Sequence, residues 1–176
     1  CKKINKSLQR VKKLKISRKI GISLYSNFLK KDYLNLIDLD FIQNPFNLVD
    51  QSLLKKDLIN YLKKKRINIC IRSIFLQGIL LNAKLKNKNI FKNYSVFLSK
   101  LKRFERLNKT KLLDLNLKFI FSYKFFSNVV IGFDNFKSFK QVIEIIKYKN
   151  NQAITRPKLL ISNNKKIINP YEWNYA

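Results

Sequence analysis

The stretch DQSLLKKDLINYLKKKRINICIRS, residues 50–73, contains the helix-then-strand alternation that decides the fold. Its first part carries apolar residues three to four positions apart, the spacing of one helix face: Leu54, Leu58, Tyr61 and Leu62. Asp50 is a suitable N-cap for this helix, and the last turn is basic, which complements the helix dipole. The β-branched run at 67–71 is typical of a strand buried on both faces, and it ends at Arg72.

The same alternation recurs along the rest of the chain. Further short apolar runs predict strands at 19–23, 41–43 and 128–131. Helical spacing or capping residues predict helices over residues 2–15, 29–36, 50–65, 96–107, 112–123 and, capped by Asp134 or Asn135, to Ile146. We expect a loop over residues 81–93 and an irregular tail from Asn150. The second strand is expected to stop at Asn44-Pro45, because Pro cannot continue a central strand.

Strands that alternate with helices predict an α/β fold, because they pair in parallel through right-handed helical crossovers. Two architectures fit: an open doubly wound sheet and part of a (β/α)8 barrel. A doubly wound sheet usually has a glycine-rich phosphate loop after its first strand, whereas only Gly21 is available there. A complete barrel needs ~250 residues, so a chain of 176 could supply only part of one. The spacing alone leaves both architectures open.

The composition excludes several classes of function. Because the chain has no His, none of its own residues can supply an imidazole as acid, base or metal ligand. The two cysteines cannot form a disulfide framework or, without His, an ordinary zinc site, and we predict no metal. There is no run of eighteen or more apolar residues, so the sequence predicts neither a membrane-spanning helix nor a membrane partner.

The net charge of +28 comes from 38 Lys and Arg against 10 Asp and Glu, and such a field attracts any polyanion. However, 31 of the 38 are Lys rather than Arg, the side chain that reads guanine edges, and the basic residues are spread along the whole chain. The accompanying surplus of Asn, Ile, Leu and Phe is what AT-rich codons produce. We therefore predict no specific nucleic-acid partner, and a basic nucleic-acid- or ribosome-binding module is the alternative.

The chain contains no Met and begins with Cys1, whereas a natural reading frame begins with Met. We therefore expect a fragment of a longer protein. A processed secretory protein or lipoprotein is the alternative, but we find no apolar leader and no flexible polar tether after Cys1. The few cysteines also favour a cytoplasmic protein.

Four segments together resemble the C-terminal half of the aldo/keto reductase family. They are KIGISLYS (residues 19–26), FIQNPFNLVDQ (41–51), ICIRSIFLQGILL (69–81) and VVIGFDNFKSFKQVIEII (129–146). Their order and spacing match the family's fifth to eighth barrel strands, and NPYEW (169–173) resembles its closing motif. The resemblance implies the C-terminal part, about strands five to eight, of a (β/α)8 TIM barrel over residues 1–150, followed by a C-terminal tail at 151–176.

The resemblance also implies a nicotinamide cofactor, NADP(H) in preference to NAD(H). Ser23 and Gln43 match residues that hydrogen-bond the carboxamide, which needs an acceptor and a donor. Arg72 stands where many members place a Tyr that stacks on the nicotinamide ring, and it could instead meet an anionic substrate group. Ser73 begins the loop that matches the pyrophosphate-binding backbone, together with Gln77 and Gly78.

The start of the last predicted helix resembles the family's adenosine-phosphate site, and a helix N-terminus suits an anion. The implied residues are Gly132, Asp134 and Asn135. Ser138 stands where an Arg often clamps the 2′-phosphate, and Gln141 stands where a Glu often contacts adenine.

In the family, the catalytic Asp, Tyr, Lys and His belong to strands two to four, upstream of Cys1, so no catalytic residue is assigned here. By resemblance, the parent protein transfers hydride to a small-molecule carbonyl substrate, with a Tyr as general acid. We expect the chain to be the cofactor-binding half and to be inactive alone. A non-catalytic relative is a further alternative, and the sequence indicates no oligomeric state.

Overall fold

The computed structural model describes residues 2–25, 28–82, 90, 93–147, 154 and 158–173. Its strands are β1 (Gly21–Ser23), β2 (Phe41–Pro45), β3 (Asn68–Arg72) and β4 (Asn128–Val129). They form a parallel sheet in the order β1-β2-β3-β4, which is also their order along the chain. Parallel neighbours that follow one another in sequence require crossover connections. The predicted α/β fold with a parallel sheet is confirmed.

The helices alternate with the strands over most of the described chain. They are α1 (Lys2–Lys13), α2 (Lys31–Leu34), α3 (Lys56–Lys64), α4 (Tyr94–Asn108), α5 (Leu112–Phe121), α6 (Phe136–Lys147) and α7 (Lys165–Ile168). Short 3₁₀ helices lie at Ser52–Leu54, Ile79–Leu81 and Pro170–Glu172. The periodicity predicted α4, α5 and α6 closely, and most of the predicted 81–93 loop lies outside the described residues.

Strand β3 is one of the two inner strands of the sheet and is buried on both faces. Ile69, Cys70 and Ile71 have exposed fractions of 3%, 9% and 0%. Because successive side chains of a strand point to opposite faces of the sheet, three consecutive buried residues mean that both faces of β3 are covered. The sequence prediction for this strand is confirmed.

Gly21 sets the approach of β1 to β2. The register pairs Gly21 with Phe41, and a Cβ added at Gly21 would collide with the Phe41 ring. The ring therefore lies over the glycine backbone, and any side chain at position 21 would force the Phe41 ring to move. This close packing explains the glycine in the first strand without a phosphate loop.

The chain forms two compact units. The first consists of Cys1–Pro45, Ser52–Arg72 and Phe125–Val130 and contains the whole sheet; the second consists of Phe46–Gln51, Ser73–Lys124 and Ile131–Ala176.

In the second unit, α5 is apolar on most of its surface and buried, with a core of Leu112, Leu115, Leu117, Phe119 and Ile120. The rings of Phe46 and Phe119 stack with centroids 5.5 Å apart, and Tyr123 meets the Phe46 ring edge-on at 5.4 Å. Aromatic pairs of this geometry contribute stability beyond that of burying their apolar surface. Helices α5 and α6 also contact each other.

The expected stop of the second strand at Asn44-Pro45 is wrong, because β2 includes both residues. The pairing of β1 with β2 ends at Ser23 and Gln43, so Pro45 pairs only with Arg72 of β3. Because Pro45 has a neighbouring strand on one side only, the missing N–H of Pro costs no ladder hydrogen bond on the other side.

Asp50 is not the helix N-cap that the sequence predicted. Helix α3 begins at Lys56 after a separate 3₁₀ turn, and Lys55 is its N-cap residue without a side-chain hydrogen bond. Asp50 is 2% exposed, and its backbone N–H donates to Asn47 Oδ1 at 2.9 Å. A local Asn-centred turn therefore competes successfully with the helix start.

The tail expected to be irregular contains two short helical segments, α7 and the 3₁₀ helix that follows it. Asn164 Oδ1 accepts from the Lys166 N–H at 3.0 Å, and Asn169 Oδ1 accepts from the Tyr171 N–H at 3.3 Å. Asn is a strong N-cap because its side chain satisfies the first free N–H groups of a helix. These caps are the reason for the difference.

Strand β4 and helix α2 are shorter than predicted, as are β1, which begins at Gly21 rather than at residue 19, and α1, which ends at Lys13 rather than at residue 15. Strand β4 ends at Val129, which pairs with Ile71, because β3 itself ends one residue later. Helix α2 covers only Lys31–Leu34 of the predicted 29–36, and Leu36 is 45% exposed rather than continuing an apolar face. Among the described residues, no helix has the length and apolar character needed to cross a membrane.

Candidate functional site

The carboxyl ends of β1, β2 and β3 place polar side chains on one face of the sheet. The register pairs Ser23 with Gln43 and Gln43 with Cys70, and Arg72 lies two residues beyond Cys70. Side chains alternate between faces along a strand, so these four share a face. Three of them are predicted site residues, and the structure brings these three together: Ser23, Gln43 and Arg72.

Hydrogen bonds join these side chains across three strands. Arg72 Nε donates to Ser23 Oγ at 3.4 Å, and the Ser23 hydroxyl donates to Gln43 Oε1 at 3.1 Å. Gln43 Nε2 lies 4.0 Å from Cys70 Sγ, a long contact to sulfur. Ser23 is exposed, whereas Gln43 and Arg72 are half-buried. The network therefore lies at the boundary with solvent, where a polar ligand can reach it.

Tyr25 holds the Arg72 side chain from a second direction. The guanidinium carbon of Arg72 lies 4.9 Å from the centroid of the Tyr25 ring, a cation–π distance. Sequence reasoning did not identify Tyr25. The available signal was an aromatic residue two positions after Ser23, close to the end of a predicted strand.

A buried amide fixes the segment that carries Tyr25. Asn44 is fully buried, and its Nδ2 donates to the Leu24 carbonyl at 3.0 Å. The Leu24 N–H in turn donates to the Gln43 carbonyl at 2.9 Å. Because buried amides are costly to leave unpaired, these bonds position the chain after β1 firmly beside β2.

The loop after β3 begins in the second unit and has an unusual backbone. Ser73, Leu76 and Gln77 have φ angles of 55°, 46° and 52°, and Gly78 has a φ of 82°. Residues with a Cβ rarely adopt positive φ, and such strain tends to collect at functional loops. Ile74 and Leu76 are 2% and 1% exposed, and their burial anchors the loop.

Asn47 is a buried polar residue that supports this loop and that sequence reasoning missed. Its Nδ2 donates to the Ser73 carbonyl at 3.1 Å. Its Oδ1 accepts from the N–H groups of Val49 and Asp50, each at 2.9 Å. The signal in the sequence was a polar residue two positions after a strand-ending Pro.

The start of α6 is capped by Asn135, one of the two predicted caps. Asn135 Oδ1 accepts from the Ser138 N–H at 2.9 Å and from the Ser138 hydroxyl at 3.2 Å. Gly132, Asp134 and Gln141 are exposed. The helix N-terminus is therefore open to solvent, with Ser138 engaged in the cap.

The predicted site residues fall into two sets. The first unit holds Ser23, Gln43 and Arg72 in one hydrogen-bonded network, and the second unit holds Ser73, Gln77, Gly78, Gly132, Asp134, Asn135, Ser138 and Gln141. Among the described residues, no three His, Cys, Asp or Glu side chains cluster as metal ligands.

The amino end of the sheet carries a different network, centred on Asp40. Lys12 Nζ donates to both carboxylate oxygens at 2.9 and 2.8 Å, and the Ile20 N–H donates to Oδ2 at 2.7 Å. The Lys12 hydrogen bond, followed by that from Ile20, lowers the pKa of Asp40 below its ordinary value of 3.8. The Asn68 N–H donates to the Asp40 carbonyl at 2.9 Å, and the Ser127 hydroxyl donates to Asn68 Oδ1 at 3.1 Å.

Residues 3–154 match the model of the Aldo/keto reductase family. The chain belongs to the aldo/keto reductase family. The resemblance of its four segments to that family is confirmed, while no curated protein sequence matches the chain significantly.

Solved structures of aldo/keto reductases have a similar fold. The aldo-keto reductase AKR11C1 from Bacillus halodurans in its holo form has a TM-score of 0.68 and 16% identity, covering 89% of this chain and 53% of that chain. Its apo form has a TM-score of 0.69 and 17% identity, covering 89% and 54%.

The glycerol dehydrogenase AKR11B4 from Gluconobacter oxydans has a TM-score of 0.53 and 17% identity, covering 84% of this chain and 54% of that chain. At these identities the likeness concerns the fold alone. The chain spans about half the length of these solved structures.

Proposed function

We propose that the chain is the cofactor-binding part, about strands five to eight, of a cytoplasmic aldo/keto reductase that uses NADP(H) in preference to NAD(H). Membership of the aldo/keto reductase family supports the assignment as an oxidoreductase. The chain spans about half the length of a similar solved structure, which supports its assignment as part of a barrel. In this proposal β1 to β4 correspond to barrel strands five to eight. The partner of the complete protein is a small-molecule carbonyl substrate rather than a nucleic acid.

The observation that carries the proposal is the hydrogen-bonded pair of Ser23 and Gln43 on neighbouring strand ends, 3.1 Å apart. A nicotinamide carboxamide presents one carbonyl acceptor and one NH2 donor. A Ser hydroxyl and a Gln side chain each both donate and accept, so together they match those two groups. Ligands of parallel α/β sheets bind at the carboxyl ends of strands, which is where the pair lies.

We propose phosphate-binding roles for the predicted site residues of the second unit, considered by itself. We assign the pyrophosphate to the backbone of the loop from Ser73 to Gly78, in which Leu76, Gln77 and Gly78 have consecutive positive φ angles, because backbone N–H groups of turns can form an anion-binding concavity. We assign the adenosine phosphate to the open N-terminus of α6, from Gly132 to Asn135. Ser138 and Gln141 complete the predicted set on the first turns of that helix.

When bound, the nicotinamide supplies the hydride for carbonyl reduction. The residues of this chain bind and orient that ring, and the general acid comes from the part of the barrel that this chain does not contain. We therefore expect the chain alone to bind the cofactor and to show no steady carbonyl reduction.

The test is a titration of the full chain with NADPH, followed by the change in NADPH fluorescence. Ser23→Ala removes one hydrogen-bonding group from the proposed carboxamide site, and it should weaken binding about fivefold, since one hydrogen bond is worth ~1 kcal/mol. Ser127→Ala is the matched control, because Ser127 is a Ser at the amino end of the same sheet. It should leave the dissociation constant unchanged.

Two results would contradict the proposal: no NADPH binding by the folded wild-type chain, or equal weakening by Ser23→Ala and Ser127→Ala. A binding constant that falls steeply with salt for NADPH and for a single-stranded oligonucleotide alike would favour the basic-module alternative.

A further inference from the structure

Two buried amides hold the loop after β3 from outside it. Asn47, in the segment that follows β2, and Asn116, on α5, are both 0% exposed. Asn47 Nδ2 donates to the Ser73 carbonyl at 3.1 Å, and Asn116 Nδ2 donates to the Leu80 carbonyl at 2.8 Å. All four residues belong to the second unit. The amides therefore fix the first residue of the proposed pyrophosphate loop and a residue two positions beyond its last residue, Gly78.

The two residues that the amides fix also take part in the hydrogen bonds that shape the loop. The Leu76 N–H donates to the Ser73 carbonyl at 3.0 Å, and the Leu80 N–H donates to the Phe75 carbonyl at 3.2 Å. Movement of Ser73 or Leu80 would therefore disturb a bond within the loop itself.

The loop depends on such support because three of its non-glycine residues have positive φ angles: Ser73, Leu76 and Gln77. The Cβ atom makes this conformation costly, and the conformation persists only where surrounding contacts enforce it. The bonds from Asn47 and Asn116 are contacts of this kind, since they hold backbone groups of the loop and its end.

Asn116 is a poor choice for stability alone. It lies among the buried apolar residues of α5, and its Oδ1 atom is buried and accepts no hydrogen bond from the part of the chain that the structure describes. A buried polar atom without a partner lowers stability, so such an atom calls for a local reason. The bond to Leu80, 36 positions away in the sequence, is the long-range contact that the amide provides.

We propose that Asn47 and Asn116 are positioning residues that pre-organise the loop after β3 for a pyrophosphate group before the cofactor binds. This inference rests on the proposed function, since it takes that loop as the pyrophosphate site. A loop that already has its bound conformation loses less conformational entropy when the ligand binds, so the affinity is higher. Neither amide needs to touch the cofactor, because each acts through a backbone carbonyl.

The test combines NADPH titration with amide hydrogen exchange of the full chain. Asn116→Leu keeps the shape of the side chain, but it removes both the donor to Leu80 and the buried Oδ1 atom. These two losses have opposite effects on stability, so the urea midpoint should stay close to that of the wild type. Without cofactor, amide exchange over residues 73–81 should be faster than in the wild type. NADPH binding should weaken about fivefold, which is the equivalent of one hydrogen bond.

Asn47→Asp separates the two roles of the Asn47 side chain. The introduced carboxylate can still accept from the N–H groups of Val49 and Asp50, as Asn47 Oδ1 does at 2.9 Å, but it has no donor for the Ser73 carbonyl. This variant should also show faster exchange over residues 73–81 and a similar loss of NADPH affinity.

The matched control is Asn108→Leu on α4, in the same unit. Asn108 Nδ2 donates to the carbonyl four residues earlier, that of Phe104, at 2.8 Å, and Asn116 Nδ2 makes the same kind of bond to Leu112 at 2.8 Å. The control therefore removes an amide whose side-chain hydrogen bond stays within its own helix. Exchange over residues 73–81 and NADPH affinity should both keep their wild-type values.

Three results would overturn the role of the two amides while leaving the cofactor site in place. They are unchanged exchange over residues 73–81 in Asn116→Leu, unchanged NADPH affinity in that variant, and an equal loss of affinity in Asn108→Leu. A lower urea midpoint with faster exchange throughout the chain would overturn it in favour of a general structural role. Absence of NADPH binding by the folded wild-type chain would overturn the proposed function and the inference together.

Discussion

The two ends of the parallel sheet are polar in different ways. At the amino end, Asp40 binds an ammonium group and a backbone N–H, and its own carbonyl accepts from Asn68 on the next strand. At the carboxyl end, Arg72 donates to the Ser23 side chain and Ser23 donates to the Gln43 side chain. Both ends lie in the first unit.

The difference indicates which end is structural. Side chains that bind backbone groups fix the positions of strands, so their loss destabilises the fold. Side chains that bind one another at an exposed rim can exchange those bonds for bonds to a ligand at little cost to the fold. In α/β barrels the amino end typically serves stability and the carboxyl end serves function.

The largest effect is expected for Asp40→Ala, at the amino end. The substitution leaves the Ile20 N–H and the Lys12 ammonium without their acceptor, so the free energy of unfolding should fall by about 2 kcal/mol. Urea denaturation followed by circular dichroism measures this change. Asp38→Ala, a nearby exposed Asp, is the control and should change stability by less than ~0.5 kcal/mol.

The affinity of the Asp40→Ala variant for NADPH tests whether the amino end of the sheet affects binding at the carboxyl end. A folded Asp40→Ala chain should bind NADPH as the wild type does. If this variant lost cofactor affinity as well as stability, the two ends would not be independent.

The stability that the Asp40 carboxylate contributes should depend on pH. The folded pKa of Asp40 is lowered below the unfolded value of 3.8, so its stabilisation is fully present above that value and is lost as pH falls through the folded pKa. The stability difference between wild type and Asp40→Asn should be about 1 kcal/mol at pH 7 and should approach zero as the pH falls below the lowered pKa of the folded-state Asp40. Urea midpoints at several pH values measure it. A constant difference would contradict the role of the carboxylate charge.

A somewhat smaller effect, on binding rather than on stability, is expected at the carboxyl end. Gln43→Met removes the amide that accepts from Ser23, while the apolar side chain keeps a similar length. NADPH binding should weaken about fivefold, since a hydrogen bond contributes ~1 kcal/mol. The urea midpoint should change little, because Gln43 is half-buried and its side-chain partners are other side chains. Destabilisation as large as that of Asp40→Ala would remove the contrast between the ends.

The smallest effect is expected for Ser127→Ala. Its hydroxyl binds Asn68 Oδ1 at 3.1 Å on an exposed part of the amino end, so stability should fall by less than ~1 kcal/mol. The change should appear in the urea midpoint, with no change in NADPH affinity. A change in NADPH affinity without a change in stability would contradict the assignment of cofactor binding to the carboxyl end of the sheet.

Much of the architecture could be predicted because its signals are local. The apolar run of β3 and the helical spacing of α4 and α5 specify their elements whatever the rest of the chain does. Sequence reasoning predicted that Ser23, Gln43, Arg72 and Gly132 share one rim because each comes at the end of a strand in a parallel sheet, and the structure brings the first three together. Their proposed roles rest on the resemblance and stay predictions.

The missed features depend on partners distant in the sequence or on competing local hydrogen bonds. Tyr25 becomes a site residue only because β3 brings Arg72 to it. Asp50 was expected to start a helix, but the buried Asn47 draws its backbone into a turn and also holds the Ser73 carbonyl. No periodicity in the sequence reports these contacts.

The sequence alone determined the alternation of strands and helices, and hence the parallel sheet, because hydrophobic spacing acts within each segment. The tertiary structure decided which polar side chains meet across β1, β2 and β3, and that Arg72 lies over Tyr25 beside Ser23. The physical reason is that these contacts join residues up to 49 positions apart, and strand register alone brings them within hydrogen-bond or ring-stacking distance.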